Sequence, residues 1–70
     1  MNRGKIRKRP EKYGLKWFVL EVENDVEQKL KAAGETGSDL LHRCGQPVTQ
    51  EDLDALMEDI RKIVPEFEAA

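Results

Sequence analysis

The chain is 70 residues long, 39% apolar and 37% charged, with a net charge of −2 and one cysteine, Cys44. That length allows one domain with a marginal core, a lone cysteine excludes an internal disulfide, and no stretch approaches the ~18 apolar residues of a membrane span. The basic N-terminus has no apolar segment behind it, as a secretory signal requires, so a reducing, cytoplasmic setting is expected.

The first segment, residues 1–14, concentrates the positive charge. Residues 1–16 hold seven basic side chains (Arg3, Lys5, Arg7, Lys8, Arg9, Lys12 and Lys16) against one acid, Glu11, whereas residues 17–70 hold five basic side chains against thirteen acids. Such asymmetry points toward nucleic acid, a membrane surface or an acidic protein partner. Gly4, Pro10 and Gly14 interrupt any helix and Ile6 is the only aliphatic residue among the first fourteen, so this segment reads as a flexible basic arm.

Residues 15–65 read as a small helical domain. The stretch KWFVLEV (16–22) fits two templates. Phe18, Leu20 and Val22 line one face at period two, while Leu15, Phe18, Val19, Val22, Val26, Leu30 and Ala33 recur at helical spacing. Asn24 and Asp25 are poor residues for a helix interior, and Asn24 with Glu27 forms a capping pair. A strand at 17–22 entering a helix at about 25–33 is therefore preferred, with Gly34 as the stop. GETGS (34–38) reads as a turn, and Ser38 as the cap of a short helix, SDLLHRC, that ends at Gly45. Thr49 with Asp52 forms a variant capping box, Val48 and Leu53 stand at staple positions, and Leu53, Leu56, Met57, Ile60, Ile63 and Val64 follow an amphipathic helix that Pro65 closes. Residues 66–70 read as a tail. The expected fold is mainly α, with two to three short helices, one candidate strand at 17–22 and the flexible basic arm. A solitary strand leaves its backbone groups unpaired, so its partner is a distant segment, a second copy or the sheet of another protein.

No catalytic, metal or cofactor motif is complete. His42 and Cys44 are two residues apart, a spacing that does not bring helical side chains together. A zinc site needs about four ligands, more than one histidine and one cysteine supply. Met57 stands where a calcium loop headed by Asp52 and Asp54 requires glycine. A helix-turn-helix over 24–44 would have only His42 and Arg43 to bring to a DNA groove. The chain therefore reads as a non-enzyme that works by binding.

The candidate nucleic-acid contacts are Arg3, Lys5, Arg7, Lys8, Arg9 and Lys12, because mobile cations each find a phosphate oxygen and release a counterion. RNA or another single strand, bound without sequence preference, fits such an arm. Tyr13, Leu15, Trp17 and Phe18 sit at the joint with the body and are candidate protein anchors, with Trp17 and Phe18 equally readable as core. A weak basic arm becomes sufficient when the body is tethered to a protein complex, which raises its effective concentration. A second reading places function on the acidic helix, where Glu51, Asp52, Asp54, Glu58 and Asp59 would mimic nucleic acid in an inhibitor or antitoxin-like module. A third is a dimer pairing through 17–22; otherwise the chain is a monomer.

The tiny domain, its NRGKIRKR arm and its acidic helical body resemble the small proteins with which lytic phages bind the host RNA polymerase, inhibiting initiation or suppressing termination. That resemblance implies a body docked near the RNA exit channel of a bacterial RNA polymerase, with Arg3, Lys5, Arg7, Lys8 and Arg9 along the path of nascent RNA. Positive charge there would hinder terminator hairpins, and the docked body would obstruct promoter engagement.

Overall fold

The computed structural model describes residues 2–12 and 15–69. The elements are β1 (Arg3–Lys12), β2 (Leu15–Val22), α1 (Asn24–Ala32), α2 (Glu35–Arg43), α3 (Gln50–Ile63) and β3 (Glu68–Ala69). They form one sheet of order β2-β1-β3. β1 and β2 are antiparallel, with Gly4 opposite Val22, Ile6 opposite Leu20 and Lys8 opposite Phe18, and the register shifts between Arg9 and Lys12. β3 runs parallel to β1, Arg3 beside Glu68 and Gly4 beside Ala69. The fold is therefore α+β rather than mainly α. Residues 3–12 of the stretch expected to be a flexible basic arm are instead a strand of the sheet.

Period-two geometry explains how so charged a segment joins a sheet. Successive side chains of a strand point to opposite faces. Gly4 and Ile6 face the core with Phe18, Leu20 and Val22, while Arg3, Lys5, Arg7 and Arg9 take the other face and stay exposed. β2 is satisfied on both edges. Beyond β1, the Phe18 N–H donates to the Val48 carbonyl and the Val48 N–H to the Phe18 carbonyl, both at 2.8 Å, and the Gly45 N–H donates to the Leu20 carbonyl at 2.9 Å. The strand that looked solitary thus has two partners in its own chain: the N-terminal segment and the loop 45–48.

The helices cover the core face. Val26 and Leu30 of α1, Leu40 of α2, and Leu53, Leu56 and Ile60 of α3 are buried with Phe18, Leu20, Val64 and Phe67. α1 starts one residue early and uses Glu23 as N-cap without a side-chain hydrogen bond, so the expected Asn24 cap is not made. α2 begins at Glu35, three residues before Ser38, so GETGS belongs mostly to a helix and not to a turn. Its glycine is needed for packing: Gly37 is buried against α1, and a Cβ there would overlap the Leu30 carbonyl. α3 matches expectation, with the Thr49 hydroxyl accepting from the Asp52 N–H at 3.3 Å. Cations in its last turn, Arg61 and Lys62, face the negative end of the helix dipole.

The end of the chain closes over the sheet. Phe67 is 2% exposed, and its burial stabilises by about 1.5–3 kcal/mol. Its ring occupies the space left by the missing side chain of Gly4, where a Cβ would stand 2.7 Å from Phe67 Cζ. Next to it, Glu66 Oε1 accepts from the Asn2 side-chain amide and from Lys29 Nζ, the latter at 2.6 Å. This joins the start of the chain, α1 and the end of the chain. The lysine hydrogen bond holds the Glu66 carboxyl below its ordinary pKa, and the same bond raises that of Lys29.

Two outcomes follow. Gly4→Ala and Gly37→Ala should each lower the unfolding free energy by about 1–3 kcal/mol through overpacking, measured by urea titration; a neutral Gly37→Ala would contradict the close approach of α1 and α2. The Glu66 pairing contributes above the ordinary carboxylate range and fades as pH falls through the depressed folded value, while the Lys29 contribution fades as pH rises through its raised value. Urea midpoints at pH 7 and pH 3 should therefore drop more for the wild type than for Glu66→Gln; equal drops would show that the pairing is not coupled to folding.

Candidate nucleic-acid interface

The sheet face turned away from the helices carries none of the core cluster. It presents Arg3, Lys5, Arg7 and Arg9 from β1, Trp17, Val19 and Glu21 from β2, and Glu68 from β3 beside Arg3. Alternate strand positions stand about 6.7 Å apart, so the four cations span roughly 20 Å in a nearly straight row. Arg7 pairs with Glu21 across the ladder. Val19, directly opposite Arg7, is 2% exposed although it lies apart from the main core cluster. Among the described residues Arg3, Lys5 and Arg9 make no ion pair. Trp17 lies directly opposite Arg9 and is half-buried. Its indole N–H is shielded from solvent and meets no acceptor among the described residues.

The charges are segregated between the two layers. Across α1, α2 and α3 there are nine acidic and five basic side chains, while the open face sets four cations against Glu21 and Glu68. A polyanion is repelled from the helical side and attracted to the strand side. Guanidinium groups can chelate phosphate or stack on bases, and an aromatic ring beside them offers a stacking surface.

The residues singled out from sequence separate into groups. Arg3, Lys5, Arg7 and Arg9 share the open face, but Lys8 stands on the opposite side of β1, at the rim of the core and across from Phe18. Phe18, 8% exposed, belongs to the core and is not available as an anchor, whereas Trp17 lies on the open face. Tyr13 lies outside the described residues, as do the side chains of Lys12 and Leu15. The acids of α3 lie on the side of the helix away from its buried stripe of Leu53, Leu56 and Ile60. Glu51, Asp52, Asp54 and Glu58 are exposed, Asp54 accepts from Gln50, and Asp59 pairs with Lys62. Glu51, Asp54 and Glu58 share one row of α3 by their i, i+3, i+7 spacing, with Asp52 and Asp59 in the next row. Glu21 and Val19 escaped notice as parts of the cationic surface, although the alternation in RGKIRKR, with a cation at 3, 5, 7 and 9, was a signal for it.

Cys44 is half-buried beside β2, and burial pushes its thiol up to about 11. Among the described residues no helix is long and apolar enough to cross a membrane. No family model, curated protein or solved structure matches the chain.

Cys44 should be sluggish. At pH 8 a thiol with a pKa of about 11 is thiolate to roughly one part in a thousand. Modification by a disulfide reagent should run at least tenfold slower in the native protein than in urea; equal rates would mean that the thiol is not shielded as described.

Proposed function

We propose that this domain is a non-enzymatic regulator of transcription that docks on a protein machine and contacts RNA with the cationic face of its sheet. The observation that carries the RNA contact is the row Arg3, Lys5, Arg7 and Arg9 on one face, next to Trp17 and opposite an acidic helical layer. Phosphates lie along the row, and Trp17 with Arg9 is placed for a base to stack. A rigid strand fixes the spacing of the charges, which a flexible arm does not, so less conformational freedom is lost on binding. Bacterial RNA polymerase is the machine to test, on the strength of the resemblance to phage polymerase-binding proteins. A docked body that holds RNA by its backbone would restrain the emerging transcript and oppose terminator hairpins without reading sequence.

A fluorescent twelve-nucleotide single-stranded RNA tests the contact. Four phosphate contacts correspond to a slope near −3 when the logarithm of affinity is plotted against that of salt concentration. The variant Arg3→Glu/Lys5→Glu/Arg9→Glu should bind at least tenfold more weakly with its circular dichroism unchanged. It should still be retained by immobilised bacterial RNA polymerase, yet lose any read-through of an intrinsic terminator. RNA affinity equal to the wild type, in a folded variant, would sink the proposal.

A further inference from the structure

β1 is paired on both edges only at its beginning. β3 matches Arg3 and Gly4, and among the described residues nothing pairs with that edge of β1 beyond them. The direction of the free groups follows from two bonds. The Glu23 N–H donates to the Arg3 carbonyl at 2.9 Å, so odd-numbered residues of β1 turn their backbone groups toward β2. The Glu68 N–H donates to the Asn2 carbonyl at 3.1 Å, so even-numbered residues turn theirs toward the other edge. Backbone groups alternate in this way along an antiparallel ladder. Ile6 and Lys8 therefore hold two N–H groups and two carbonyls outward with no partner among the described residues. An open edge of this kind is a template for another strand.

The side chains along the edge select its occupant. Lys5, Arg7 and Arg9 rise on the open face, and Lys8 and half-buried Ile6 on the other. A second copy laid β1 against β1 would set Lys and Arg beside Lys and Arg, which is unfavourable. We propose that this edge takes an extended acidic segment of a partner protein as an added strand, one that alternates carboxylates with aliphatic residues. The carboxylates stand beside Lys5, Arg7 and Arg9, and the aliphatic side chains stand beside Ile6 and lengthen the core. The inference does not rest on RNA binding, because nucleic acid uses the charges of the face and not the outward amides.

The probe is a capped seven-residue peptide alternating glutamate and valine, with a lysine–valine version as control. In the free protein the amides of Ile6 and Lys8 should exchange rapidly with solvent, and saturation with the acidic peptide should slow both at least tenfold. Lys8→Pro removes one outward N–H and no group of the β2 ladder. Compared with Lys8→Ala, which keeps that N–H, it should weaken the peptide at least tenfold and change RNA affinity less than twofold. The basic peptide should not bind. Three results would each overturn the proposal: Ile6 and Lys8 amides protected before peptide is added, including protection that grows with protein concentration and so reveals a second copy; no added protection at saturation; or equal peptide affinity for the two Lys8 variants. If Lys8→Pro does not fold, the exchange measurement on the wild-type protein decides by itself.

Discussion

Phe18 and Leu20 can leave water only if the strand that carries them finds hydrogen-bond partners for its backbone, because an unpaired buried peptide group costs about as much as the burial gains. β2 meets this condition on both sides. The loop 45–48 bonds to one edge through Phe18 and Leu20, and β1 bonds to the other. The three helices then close over the face that results. A segment crowded with arginine and lysine is recruited as a structural strand because a strand needs only every second side chain to be compatible with the core.

That constraint also produces the cationic surface. Once Gly4 and Ile6 face inward, Arg3, Lys5, Arg7 and Arg9 have one direction left to point, away from the helices. Like charges in a row are tolerated because they stay hydrated, and Glu21 answers one of them. The inner face of β1 is short of apolar side chains, and the shortage is met from the far end of the chain. Phe67 fills the space over Gly4, and Glu66 ties Asn2 to Lys29. Stability and charge display are thus coupled: whatever loosens the closing turn at 65–67 also loosens the strand that presents the cations.

The last helix was readable from sequence because every local signal agreed, from the Thr49 cap to the stripe Leu53, Leu56, Ile60. The strand at 17–22 was readable from its alternation, and its need for a partner was clear even though the partner was not. β1 was not recognised because its inward face offers only Gly4 and Ile6, so the alternation lies in charge and not in hydrophobicity, and because glycine and proline normally argue against a strand. Gly37 was read as a turn residue when its role is to let α1 and α2 approach. Both misreadings have one source: a glycine marks either conformational freedom or close contact, and only the tertiary partner, Phe67 in one case and Leu30 in the other, tells which. Of the cationic surface, the residues were legible and their common face was not; that followed from the strand.

The central claim is that the basic N-terminal segment is an ordered strand of the sheet and not a tether. Proton–proton Overhauser contacts in solution test it most directly. The account predicts close contacts between the Cα protons of the non-hydrogen-bonded pairs Gly4–Val22, Ile6–Leu20 and Lys8–Phe18. Random-coil shifts for residues 3–9 without those contacts, in a protein whose helices are intact, would contradict it.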